Sequence, residues 1–292
     1  MCLIAIALHA SERFPLIIAG NRDEFLARPT LPLDGWNSAQ GTAILGGRDA
    51  QDGGTWMGFT PAGRFAMLTN VRNPQFKPPA QPISRGRLVV DWLDSTSDVQ
   101  TWSQALDARQ FNGFNLIVGD WQRQAFSYLS HPAFLEPDRP FAGMKYAQSA
   151  MKLVVSALPS ASIQALSNAA LDTPWPKSER LKNSLRQALE LPSSQAISDE
   201  MLDALSNTQA APNAELPATG VPLEWERALS SAFVSHPRLQ PAYGTRTSWV
   251  AVLERSASTQ SSGQLSLTEV THSHTRDAPL IRQRSLPWPA SK

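Results

Sequence analysis

The first 24 residues constrain this chain more than any other stretch. Cys2 to Leu8 is an apolar run rich in β-branched side chains, His9 to Arg13 is polar, and Pro15 to Gly20 is apolar again. The pattern predicts a β-hairpin. With the loop centred between Ser11 and Glu12, Cys2 is set against Asn21, with Arg22 and Asp23 beside that line. Such cross-strand neighbours lie roughly 5 to 8 Å apart.

Cys2 is the only cysteine in 292 residues and follows the initiator methionine, which is usually removed when the next side chain is small. Removal places an α-amine (pKa about 7.7 to 8.0) a few bonds from a thiol (about 8.5), so one residue can supply nucleophile and general base. The alternative is a small apolar residue opening a buried strand. Arg22 can hold a thiolate or a substrate carboxylate, and Asp23 can orient an ammonium or a water; the two can equally form a strand-end salt bridge.

Asn21-Arg22-Asp23-Glu24 resembles the signature of the NRDE family, which includes the transport and Golgi organisation protein 2 family. Further blocks follow in family order: Met1-Cys2-Leu3-Ile4, Arg28-Pro29-Thr30, Gly46-Gly47-Arg48-Asp49, Gly53-Gly54-Thr55-Trp56-Met57-Gly58, Leu68-Thr69-Asn70 and Ser84-Arg85-Gly86. Gly113-Phe114-Asn115-Leu116, Leu166-Ser167-Asn168, Pro174-Trp175-Pro176-Lys177 and Tyr243-Gly244-Thr245-Arg246-Thr247 continue the series, so the resemblance covers most of residues 1 to 254. One departure is Ala165, where glycine is expected.

The resemblance implies an α+β fold, a four-layer αββα sandwich similar to N-terminal-nucleophile hydrolases such as the cysteine-type penicillin and bile-salt amidases. It implies a catalytic group of Cys2, Arg22, Asp23, Asn70, Asn168 and Arg246, and ligand contacts from Asn21, Arg28, Arg48, Trp56, Arg72 and Thr247. Two functions follow from it. One is a cysteine hydrolase of non-peptide linear amides that requires no cofactor; the other is a non-catalytic carrier for haem or for an acyl-coenzyme A or lipid ligand. Fold and function are separate questions. In either case the expected partner is a small molecule with an anionic group.

A length of 292 and 42% hydrophobic content suit one large domain. With 26 basic and 25 acidic residues there is no global field for nucleic acid. No stretch reaches the roughly 18 to 20 apolar residues of a membrane span, and the apolar start lacks a basic leader and cleavage site. A lone cysteine excludes an internal disulfide framework, and a cytoplasmic protein is expected.

Along the chain, Phe25 to Trp36 reads as a proline-interrupted crossing segment, and the glycine-rich turns around residues 46–47 and 53–54 as the rim of a pocket holding Trp56. Arg64 to Asn70 reads as a strand; Asn70 at its end can donate to an oxyanion or cap a turn. Asn73 to Pro82 is a loop, Ser84 caps a helix to Leu93, and a second helix runs from Val99 to Arg109. Phe114 to Gly119 and Gln124 to Leu129 form a hairpin around Gly119-Asp120, whereas Phe141 to Leu166 has no clear pattern. Ser178 to Leu191 is an amphipathic helix with Leu181, Leu185 and Leu189 on one face. Residues 193–222 read as a mobile insertion with a short helix at Asp199 to Ser206. Ser248 to Leu253 and Leu265 to Thr271 are strands around a flexible Ser256 to Gly263 loop, and the tail from Leu286 lies on the surface. In a nucleophile site, Arg246 at a strand mouth would bind an anion or lower the thiol pKa.

The histidines are His9, His131, His236, His272 and His274. His272 and His274 share a strand face, but no third ligand is visible, and no metal site is expected. There is no Cys-x-x-Cys-His haem attachment motif; non-covalent haem could use one histidine or the Cys2 thiolate.

Overall fold

The computed structural model describes residues 2–74, 76–131, 153–235, 242–255, 263–273 and 277–290. Met1, and with it the expected processing step, lies outside the described residues, as do His236, His274 and most of the Ser256 to Gly263 loop.

In chain order the strands and helices are β1 (Cys2–Leu8), β2 (Leu16–Phe25), β3 (Thr30–Asn37), β4 (Ala43–Asp49), β5 (Met57–Phe59) and β6 (Arg64–Asn70). Then come α1 (Gly86–Asp94), α2 (Val99–Ala105), β7 (Phe114–Asp120), β8 (Ala125–His131), β9 (Val154–Ala157) and β10 (Ser162–Leu166). The last are α3 (Pro176–Ala188), α4 (Ser194–Leu205), α5 (Leu223–Ala228), β11 (Tyr243–Arg255), β12 (Gly263–Thr271) and β13 (Leu280–Trp288). Among the described residues the strands form two antiparallel sheets, ordered β10-β1-β2-β11-β12-β13 and β3-β4-β5-β6-β7-β8-β9.

Burial on both faces of β1 and β2 shows why their sequences are continuously apolar rather than alternating: each face meets another layer. Ile4, Ile6, Leu16 and Ile18 point into the core between the sheets, beside Phe59, Phe65 and Trp249. Leu3, Ala5, Ile17 and Ala19 point outward onto Leu181 and Leu185 of α3 and Ile197 and Met201 of α4. On the far side, α1 lays Leu88, Val89 and Trp92 on the second sheet. The layer order is therefore helix, sheet, sheet, helix, the αββα sandwich expected.

Several local expectations are corrected. The β1–β2 register differs by one residue: Cys2 pairs with Arg22, and Leu3 with Asn21. The cause is a loop of odd length, running from His9 to Pro15, closed by His9 N–H donating to the Pro15 carbonyl at 2.7 Å. Phe25 to Trp36 is no mere crossing, since Thr30–Asn37 is an edge strand whose register shifts between Leu31 and Asp34, where Pro32 sits. The β7–β8 turn lies at residues 121–124, after Gly119 and Asp120, which both pair within the ladder.

Residues 193–222 contribute α4, whose Ile197, Met201 and Leu205 are buried against the sheet. This helix is longer than the one expected because Ser193 caps it, accepting from Ala196 N–H at 3.2 Å. The chain beyond Leu286 does not simply trail on the surface. Trp288 is fully buried, donates from its indole to the Thr60 carbonyl at 2.8 Å, and packs against Phe59 and Trp121.

Candidate functional site

Side-chain alternation decides which hairpin residues can meet. Because Ile4 and Ile6 face the inner core, Cys2, two residues before Ile4, faces the same way, and its cross-strand partner Arg22 shares that side. Arg22 is buried, lies over the Trp56 ring at 4.5 Å, and donates to Thr30 Oγ1 at 3.2 Å. Its nearest carboxylates are Glu24 at 3.7 Å and Asp49 at 3.9 Å.

Asn21 faces the helical layer instead. The one-residue register difference has this consequence: Asn21, expected opposite Cys2, donates its amide to the Leu205 and Ala232 carbonyls at 2.9 and 2.8 Å. It holds α4 in place and does not line the cavity described below. Asp23 accepts from Thr245 Oγ1 at 2.7 Å, and the Tyr243 hydroxyl donates to the Asp23 carbonyl at 2.8 Å. Burial pushes the Asp23 carboxyl up from its ordinary range, with Lys177 and the Thr245 hydrogen bond acting the other way. Burial also pushes the Cys2 thiol up; Asp23 adds to that rise, and Arg22 opposes it. At rest the thiol therefore keeps its proton.

Cys2, Arg22 and Asp23 open onto a cavity of about 490 Å³. Trp56, Asn70 and Arg28 also line it, as do Arg85, Trp225 and Tyr243. Asn70 presents a side-chain amide with no hydrogen bond among the described residues. Its carbonyl accepts from Asn168 Nδ2 at 2.8 Å. Asn168 thus braces Asn70 from behind and is itself fully buried, outside the lining.

The expected arginines divide. Arg28 lines the cavity but is held by Asp49 at 2.7 Å and by Asp52. Arg48 lies over Trp36 at 4.8 Å, away from the cavity. Arg72 is buried in an ion pair with Glu226 at 2.6 Å and stacks on Trp175. Arg246 donates to the carbonyls of Phe25, Leu26 and Arg28 at 3.3, 2.5 and 3.0 Å, tying the segment after β2 to the bulge in β11. Neither Arg72 nor Arg246 lines the cavity.

Thr247 is paired with Arg22 across β2 and β11, and its buried hydroxyl makes no hydrogen bond among the described residues. Beyond it, Glu269 of β12 reaches across to the Leu33 N–H of the other sheet at 2.7 Å while its buried Oε2 has no hydrogen-bond partner among the described residues. Burial drives the Glu269 carboxyl up to about 7.

Three participants escaped sequence reasoning. Lys177 of α3 is buried, donates to the Leu229 carbonyl at 2.9 Å, and is pulled down to about 8 by burial, with Asp23 opposing. Its signal is a charged residue in the Pro174-Trp175-Pro176-Lys177 block. Arg85 stands in the Ser84-Arg85-Gly86 block, where nothing in the residue type marks it out. Glu226 carried no motif at all. Among the described residues no cluster of histidine, cysteine and carboxylates could hold a metal ion. Nor is any helix there long and apolar enough to cross a membrane.

A four-layer αββα sandwich with a cysteine on its first strand, facing an arginine in an inner cavity, is a fold of the N-terminal-nucleophile-hydrolase type. The chain belongs to the Transport and Golgi organisation 2 family, whose model matches residues 1–272. It is 30% identical over 268 residues to a Transport and Golgi organization protein 2 homolog of Bos taurus, covering 87% of this chain and 89% of that one. The homolog of Homo sapiens is 30% identical over 273 residues, with the same coverage. Among solved structures, it is similar to a C2A mutant of the conjugated bile acid hydrolase from Clostridium perfringens (TM-score 0.44, 10% identity, covering 100% of this chain and 94% of that one). It is also similar to a Caenorhabditis elegans N-acylethanolamine-hydrolyzing acid amidase ortholog (TM-score 0.39, 11% identity, 86% and 92%).

Proposed function

We propose that this chain is a cysteine amidase acting on a small linear amide, with Cys2 as nucleophile. The observation that carries the reading is the direct pairing of Cys2 with Arg22 at the wall of the cavity, with Asp23 next along the strand. The Cys2 sulfur adds to the amide carbonyl carbon, and its proton passes to a base. The C–N bond then breaks, the amine leaves with that proton, and a thioester remains. Water cleaves the thioester, releasing the carboxylic acid and restoring the thiol.

Because burial keeps the thiol protonated, a base is required. Removal of Met1 would supply one as the α-amine of Cys2, with Asp23 orienting it. Arg22 stabilises the thiolate as it forms. Asn70 is the donor for the oxyanion, since its amide is uncommitted and Asn168 holds its backbone. One such donor lowers the barrier by about 3 to 4 kcal/mol when it is preorganised.

A second reading, a carrier for an apolar ligand with an anionic end, draws support from the aromatic wall of Trp56, Trp225 and Tyr243. For haem the fit is poor, since no histidine is among the described lining residues. An acyl ligand suits the wall better.

The test is intact mass before and after incubation with a thiol-directed acylating probe, with haem and a fatty acyl ligand titrated in parallel. A mass lacking Met1 and single rapid labelling at Cys2 support the amidase and lead to an amide screen. Retained Met1, an inert thiol and saturable acyl binding would establish the carrier in its place.

A further inference from the structure

Three arginines line the Cys2 cavity, and two are already neutralised. Arg28 is bound to Asp49 and Asp52, and Arg22 lies within 4 Å of both Glu24 and Asp49. Arg85 differs. Its Nη1 donates to the Gly113 carbonyl at 3.1 Å, and among the described residues no carboxylate comes within ion-pair distance. Glu24 bears on it only from farther away. Its Nε and Nη2 make no hydrogen bond among the described residues. That leaves free the side-on edge of the guanidinium, whose two parallel N–H groups match a carboxylate bidentately.

The surroundings favour the same ligand. Arg85 is the N-cap of α1, whose first turn carries no acidic side chain and no side-chain cap, so the helix dipole adds positive potential at the same wall. Beside it Ile83 is 41% exposed and Phe25 44% exposed, both lining the cavity along with Trp225. Exposed apolar side chains grouped at a cavity mouth are what an acyl chain would cover.

Resting on the amidase reading above, we propose that Arg85 receives the carboxylate of an N-acyl amino acid, whose acyl chain lies along Phe25, Ile83 and Trp225 and whose amide faces Cys2. Arg85 is thus the specificity-determining residue of the cavity, a role the other arginines cannot take while paired.

The experiment measures binding separately from turnover. N-octanoylglycine and the neutral N-octanoylglycinamide are titrated calorimetrically into the Cys2→Ala chain, alone and combined with Arg85→Gln or Arg85→Lys. The acid is expected to bind about ten-fold tighter than the amide when Arg85 is present, from one charge-assisted bidentate contact. With Arg85→Gln the two ligands should bind within about two-fold of each other, the amide unaffected, and with Arg85→Lys part of the preference should survive because a point charge remains. Thermal unfolding of each variant checks that it folds; should Arg85→Gln not fold, the drop between Arg85 and Arg85→Lys decides. A preference that persists without Arg85, or no binding of either ligand, overturns the proposal. Hydrolysis of N-octanoylglycine by the unsubstituted chain is followed in parallel. Preference without hydrolysis keeps Arg85 and removes the amidase, whereas hydrolysis without preference removes Arg85 alone.

Discussion

Cys2 and Arg22 face each other directly across β1 and β2, and the guanidinium in turn lies over Trp56, the residue before β5 of the opposite sheet. A cation that favours the thiolate is thereby tied to both halves of the sandwich. Arg22→Gln should raise the thiol pKa further and slow iodoacetamide labelling of Cys2 at pH 8, by about ten-fold for each unit gained. Because Cys2 is the only cysteine, intact mass against time reads the rate directly. Equal rates in both proteins would show that Arg22 does not stabilise the thiolate.

Glu269 makes stability pH-dependent. Its carboxyl is raised to about 7 from an ordinary 4.5, so between those values the folded state holds a proton that the unfolded state has lost. Stability therefore falls as pH rises through this window, by up to about 3 kcal/mol. Glu269→Gln keeps the acceptor for Leu33 N–H and removes the ionisation. Urea midpoints at pH 5 and pH 8 should move apart in the parent chain and converge in the variant.

The buried Arg72–Glu226 pair joins the segment after β6 to α5. Removing one partner strands the other charge, so Glu226→Leu should cost about 3 to 5 kcal/mol. Combining it with Arg72→Met should recover much of that loss, since apolar side chains of similar volume replace both ions. Chemical denaturation of the three variants forms the cycle that checks this.

Trp288 closes the inner core near the end of the chain. Trp288→Ala should lose about 3 to 5 kcal/mol, whereas a residue truly lying on the surface would lose little. Thermal unfolding separates the two outcomes.

The inner strands were legible because they are buried on both sides and carry unbroken apolar runs, as in Cys2 to Leu8. The edge strand Thr30–Asn37 was not, because partial exposure and Pro32 disguised it. Trp288 escapes for a related reason: every residue of β13 before it is exposed or half-buried, and one buried tryptophan leaves no periodic trace. At the site, Cys2, Arg22 and Trp56 could be named from residue type and order. Asn21 could not be placed, because a single loop residue decides which face it takes. Arg85 and the expected arginines look alike in sequence; only the distribution of carboxylates in space tells a committed guanidinium from a free one.

Asp23 takes its hydrogen bond from Thr245, 222 positions further along the chain, and β2 lies between β1 and β11. During synthesis from the amino terminus, Cys2 and Arg22 therefore emerge long before the strand that flanks them exists. Any enzyme that trims the initiator residue meets the hairpin while this side of it is still open to solvent. The surroundings that bury Cys2 are completed only after β11 has been made, so the environment of its thiol is set late in synthesis although the residue itself is made first.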